Sequence, residues 1–218
     1  MKSIESTFLT TLYFRQELLF FRGVYQSKSI GFFDFFMKLK SHLIALNNSK
    51  DFIDGVSFYI KDNETILKNR KQITLHLECC KYLRNKICGH LDDTFCEMAK
   101  KWEPTSLYKL SLETTREDEN KLRVDFFIKA LIESAINSYR IDNPTQSFFC
   151  SEIDILYPPN YKEFMDFIGY VNEKNIQLLS NIADHLRPQI KFHDGLKGAF
   201  DAIKEAADMD FGSKRKIE

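Results

Sequence analysis

Apolar residues recur at three- and four-residue steps along most of this chain, which is the helical period. "STFLTTLYFRQELLFFRGVY" (6–25) predicts a first helix, opened by a Ser and closed near Gly23. "SIGFFDFFMKLKSHLIALNN" (29–48) predicts a second, with a thick aromatic face. "DFIDGVSFYIKD" (51–62) fits either a short helix or an extended connector. The clearest period runs from about Asn63 to Cys88, and "DTFCEMAKKW" (93–102) predicts a shorter helix stopped by Pro104. "ETTREDENK" (113–121) reads as a charged, solvated link before a long helix near 119–140. Residues 142–160 break the period. Their prolines and the alternating Ile153 and Ile155 predict a loop with one short extended piece. Helix resumes over 161–186, is interrupted by Pro188 and returns near 191–208, and "GSKRKIE" (212–218) reads as a frayed tail.

The fold class expected is therefore all-α. Residues 1–112 read as a helical bundle and 113–218 as a helical extension packed on it, with one compact domain as the alternative. Composition agrees: 218 residues carry 20 Phe but only 8 Gly and 5 Pro, which favours long helices over a turn-rich β fold. The apolar run "GFFDFFM" (31–37) is too short to span a bilayer and contains Asp34, so no membrane association is expected. The N-terminus has Glu5 before its apolar patch and does not read as a signal peptide. Five cysteines fit no disulfide framework and read as reduced thiols in a cytoplasm.

Formal net charge is zero, which argues against broad electrostatic wrapping of nucleic acid. The halves differ, however. Residues 1–112 hold 17 Lys and Arg against 12 Asp and Glu, and residues 113–218 hold 14 against 19. A local anion site is thus permitted in the first half.

The candidate chemistry lies there, in "KYLRNKICGHLDD" (81–93). Arg followed six residues later by His occurs three times: Arg70–His76, Arg84–His90 and Arg187–His193. Six residues of helix rotate a side chain by about 240°, so Arg70 and His76 should diverge within their helix. Pro188 breaks the third pair. In the second, Gly89 can take the left-handed conformation that ends a helix, letting His90 fold back toward Arg84 and Asn85. The bland reading stands beside it, because basic residues followed by Gly are also how an ordinary helix stops. One pattern favours a site. Ile66, Ile73, Leu77, Cys80, Ile87 and Leu91 form a stripe whose gaps Arg70 and Arg84 fill, which would set Arg84 on an apolar face needing a partner.

"LRNKICGHL" resembles the signature of HEPN domains, helical modules in which Arg, often followed by Asn, precedes His by a short gap. Arg84, Asn85 and His90 match it, over about ten residues of the chain. The resemblance implies a helical bundle that pairs as a homodimer with the two motifs facing across a shared cleft. It implies metal-independent cleavage of single-stranded RNA without a cofactor, by Arg84 and His90 with Asn85 in support. Lys81, which precedes the motif, and Lys86, which lies within it, would bind the RNA. A toxin or antiviral-defence effector with a partner protein or antitoxin fits this class, and a catalytically silent nucleotide-binding or interaction module is the alternative. Two competitors are weaker. His76, Cys79, Cys80, Cys88, His90 and Cys96 crowd together, but no Cys-x-x-Cys spacing marks zinc. Cys88 beside His90 lacks an orienting acid. Asp92 and Asp93 could orient His90 or cap the next helix.

Overall fold

The computed structural model describes residues 3–25, 31–88, 93–104, 115–146 and 148–192. Among them are seven α-helices and no strand, as the all-α reading expects. Helix α1 (Ile4–Phe21) begins earlier than the sequence suggested. Its cap is Ser3, whose hydroxyl accepts the Ser6 N–H at 3.1 Å, so Ser6 is a first-turn residue rather than the cap. Helix α2 (Phe32–Gly55) runs through the ambiguous 51–55 stretch, and a single turn, α3 (Ser57–Ile60), takes up most of the rest. Helix α4 (Glu64–Ile87) is capped by Asn63, whose side chain accepts the Ile66 N–H at 3.1 Å. Helix α5 (Asp93–Trp102) has the predicted bounds.

The charged stretch 113–121 is no link where it is described. Thr115 caps α6 (Arg116–Asp142), and Glu117, Asp118 and Glu119 form its first turn. Acids are favoured there because they complement the exposed N–H groups and the positive end of the helix. Helix α7 (Pro158–Leu186) starts on a proline, whose missing N–H costs nothing at that position. A 3-10 turn at Pro188 (Arg187–Gln189) follows. The helix expected near 191–208 and the tail lie outside the described residues.

Packing is interleaved. Helix α7 lies along α1 and also meets α4; α4 meets α2 and α6; α5 packs on α6. The interior is mostly Phe, Leu and Ile, including Leu18, Leu43, Leu46, Leu83, Ile132 and Phe164, all fully buried.

A polar layer crosses this core. His42 is 2% exposed and stacks on Phe21 with ring centres 4.4 Å apart. Asn172 donates through Nδ2 to the Leu18 carbonyl, so its Oδ1 is an acceptor. That fixes the tautomer of His42: Nε2–H donates to Asn172 Oδ1 at 2.9 Å, and Nδ1 accepts the Tyr25 hydroxyl at 3.2 Å. Burial lowers His42 to about 4, so the ring is neutral. Nearby, Asn175 donates to Ser49 at 2.6 Å. Lys50, on the same helix, pairs with Asp54 and Glu78, each at 2.9 Å, and Asp54 also holds Arg70 at 2.8 Å. His42, Ser49, Lys50, Asn172 and Asn175 are the buried members, and each would be costly to bury without a partner.

The 148–157 segment is pinned to α6 by side chains. Asn137 donates to the Ile153 carbonyl at 3.1 Å and accepts the Ile153 N–H at 2.9 Å. Glu133 accepts the Ile155 N–H at 2.7 Å. Ile153 and Ile155 are buried, as their alternation implied, but α6 side chains take the place of a partner strand.

Glu133 gives a pH test. Burial raises its carboxyl to about 7, against the Ile155 N–H and Lys129, which favour the charged form. The groups facing it are Lys129 at 3.6 Å and Asp154, with Glu103 on the far side of Lys129. The ordinary value is 4.5, so the unfolded chain gives up this proton first. A rise in pH between those two values therefore favours unfolding. His42 has the opposite sign, since its folded value lies below its unfolded one. A difference curve isolates Glu133. Thermal melts of wild type and Glu133→Gln across a pH series should diverge between pH 4.5 and about 7, wild type losing stability relative to the variant, and run parallel outside that window. Parallel curves throughout would mean that Glu133 titrates normally.

Candidate functional site

The end of α4 carries Lys81, Arg84, Asn85 and Lys86 within its last two turns. The helix is fixed by its buried residues Ile66, Ile73, Leu77, Cys79, Cys80, Leu83 and Ile87. Arg84 does not continue that row. The row runs on to Ile87 through Leu83, which takes the buried place, and Arg84 beside it is half-buried. The expectation of a guanidinium set on an apolar face and forced to find a partner is thus corrected. Its Nη1 donates to Asn85 Oδ1 at 3.0 Å in an exposed contact. Among the described residues no carboxylate pairs with Arg84, so its charge remains available to an anion. Asn85 is exposed and orients the fork.

The two lysines are half-buried on different sides of the helix. Lys86 holds its ammonium 5.7 Å from the centre of the Tyr82 ring. Lys81 lies nearer Arg84, about 60° from it around the axis. On α2, the Lys40 carbonyl accepts the Cys88 thiol at 3.6 Å, tying the helix end to its neighbour. The Cys88 N–H closes the helix on the Arg84 carbonyl at 2.8 Å. Burial pushes the Cys88 thiol up to about 11, against the charges of Lys40 and Arg84, so it stays protonated at neutral pH. His90 and Gly89 lie outside the described residues, as do Leu91 and Asp92. Asp93 stands in the first turn of α5.

The decoy pairs resolve as separate features. Arg70 belongs to the ion-pair group of Asp54, while His76 points into a ring cluster with Phe148, Phe167 and Tyr170. Arg187 lies 5.9 Å from the Phe192 ring, and His193 is outside the described residues. Cys79 and Cys80 are fully buried, and burial pushes the Cys80 thiol up to about 12 and that of Cys79 higher still. They act as small hydrophobes. Among the described residues no group of three or more His, Cys, Asp or Glu is arranged to hold a metal ion. No described helix is long and apolar enough to cross a membrane.

Sequence reasoning missed the polar groups of the interior. His42, Tyr25 and Asn172 border a cavity of about 400 Å³ between α1, α2 and α7, closed on one side by the Arg22–Glu173 ion pair. The available signal was a polar residue in the apolar phase of its helix: His42 lies three residues after Leu39 and four before Leu46.

Compared with known protein families, curated proteins and solved structures, the chain shows no match.

The half-exposed position of Arg84 sets its thermodynamic role. Among the described residues Arg84→Ala removes one exposed hydrogen bond and no ion pair, so stability should change by about 0.5 kcal/mol or less. Chemical denaturation checks this. A loss of several kcal/mol would mean that the guanidinium holds the fold together.

Proposed function

We propose that this chain is a metal-independent endoribonuclease of the HEPN type, acting on single-stranded RNA. The observation that carries the reading is Arg84: a cation at the end of a rigidly buried helix, oriented by Asn85 and left without a carboxylate among the described residues. A helix C-terminus alone repels phosphate, because its free carbonyls carry partial negative charge. Phosphate binding here depends on Lys81, Arg84 and Lys86.

In the proposed reaction the ribose 2′-hydroxyl attacks the adjacent phosphorus and the 5′-oxygen of the next nucleotide leaves. His90 takes the first proton or supplies the second. Arg84 stabilises the charge that gathers on the non-bridging oxygens with its paired N–H groups. Asn85 holds that fork. Each subunit supplies one motif, and a homodimer brings two together. A toxin or antiviral-defence role in the cytoplasm, under the control of a partner protein, follows from the same resemblance and belongs to the same proposal.

One observation favours the silent-module reading. Arg84 and Lys86 sit in the last turn, where cations stabilise any helix. Activity separates the two. Purified protein incubated with labelled single-stranded RNA and EDTA should cut it, leaving 2′,3′-cyclic phosphate and 5′-hydroxyl ends. His90→Ala and Arg84→Ala should each lower the rate by at least about 100-fold. Asn85→Ala should cost less, and His193→Ala should leave the rate unchanged. Intact RNA, or a rate that follows His193 instead of His90, would sink the assignment.

A further inference from the structure

Five rings touch in sequence across one face of α4, α6 and α7. Tyr170 and His76 have centres 5.1 Å apart, His76 and Phe148 4.4 Å, Phe148 and Tyr139 6.3 Å, and Tyr139 and Tyr82 5.3 Å. Tyr139 is buried and forms the base of the row. The other four keep surface in water: His76, Phe148 and Tyr82 are half-buried and Tyr170 is 43% exposed. A cation stands at each end, with Lys174 Nζ 5.9 Å from the Tyr170 ring centre and Lys86 Nζ 5.7 Å from that of Tyr82. Tyr82 donates its hydroxyl to Asp142 at 3.1 Å, which fixes the ring's orientation.

The charges at the Lys174 end of this face point to its partner. Acids near Lys174 on α7 are engaged elsewhere, Glu173 by Arg22 and Asp166 by Lys162. No carboxylate pairs with Lys174 among the described residues. An apolar protein surface pressed on the rings would strip water from the Lys174 ammonium and return nothing for it. A single nucleic-acid strand offers bases to the ring faces and phosphates to the lysines.

We propose that the row Tyr170–His76–Phe148–Tyr82, with Lys174 and Lys86 at its ends, is a track for single-stranded RNA leading to the end of α4. The choice of RNA as the strand rests on the ribonuclease reading above. Lys86 is ten residues beyond His76, so the α4 part of the track spans about 15 Å. Arg84 lies nearly opposite Tyr82 and Lys86 around the helix, with Asn85 between Arg84 and Lys86. A strand leaving Tyr82 therefore crosses the helix end over Asn85 to bring a phosphate to Arg84. The track binds several nucleotides to one side of the bond that is cut.

Fluorescence anisotropy with a labelled RNA strand tests this when its riboses are 2′-O-methylated, because that RNA lacks the nucleophile and reports binding alone. Tyr170→Ala should weaken binding about tenfold, as loss of one stacked base does, and Tyr170→Trp should restore it. Lys174→Ala should make binding less dependent on salt, by about 0.7 in the slope of log K against log salt. Both side chains are exposed, so the variants should keep the wild-type circular dichroism and melting temperature. A duplex of the same sequence should bind more weakly, since its bases are already stacked. Wild-type protein that does not bind the strand overturns the track. So does Tyr170→Ala binding like wild type, or altering self-association while leaving RNA binding intact, which would make the face a protein contact. The two proposals fail separately. RNA cleavage that Tyr170→Ala leaves unchanged rejects the track and keeps the nuclease. Binding that depends on Tyr170, without cleavage of ordinary RNA, rejects the nuclease and keeps the track.

Discussion

Burial of one side of α4 is the constraint on which the rest depends. Ile66, Ile73, Leu77, Cys80, Leu83 and Ile87 are held against α2, α6 and α7. Each buried aliphatic side chain contributes about 1.5–3 kcal/mol of hydrophobic stabilisation, so the row resists rotation or sliding of the helix. A one-residue turn of α4 would swing Arg84 through about 100° and carry Tyr82, with Lys86 beside it, away from Tyr139 on α6. The same packing thus sets both the cation at the helix end and the rings along its flank.

The polar layer adds specificity to this. Apolar packing alone would let α2 and α7 slide, because Leu and Ile fill several registers almost equally well. His42 with Asn172, and Ser49 with Asn175, leave one register in which these two bonds between the helices are made. A shift would bury unpaired donors at about 1–3 kcal/mol each. The Arg22–Glu173 pair joins α1 to α7 in the same sense, although its exposure to solvent makes it weaker.

What the sequence revealed followed from how local each signal was. The bounds of α4 and α5 were legible because a cap or a proline coincided with the apolar period. The start of α1 was not, since Ser3 and Ser6 are both capping residues and only the hydrogen bond between them shows which caps. The acids of 115–121 were read as a solvated link because net polarity was weighed above their fit to a helix start. Ile153 and Ile155 marked a short extended piece but not what holds it, since its partners are Asn137 and Glu133, 16 and 22 residues away in sequence. The placement of Arg84 was misjudged for a geometric reason. The gap between Cys80 and Ile87 can be bridged by residue 83 or by residue 84 at helical spacing, and Leu83 rather than Arg84 fills it. The row of five rings was invisible because its members come from three helices and a loop.

The proposed chemistry also explains why one subunit would be insufficient. Transesterification must remove a proton from the 2′-hydroxyl and deliver one to the leaving 5′-oxygen. One imidazole can do these in turn only if it changes partners between the two oxygens, which lie on opposite sides of the phosphorus in an in-line displacement. Two imidazoles, one from each subunit, can act together without moving. Arg84 and its symmetry mate would then face the same phosphate, and two guanidinium groups brought close repel each other until an anion lies between them. The site would therefore be complete only when RNA is bound. On this arrangement the exposed bond between Arg84 and Asn85 has a purpose: it holds each cation in position, solvated, while no phosphate is present.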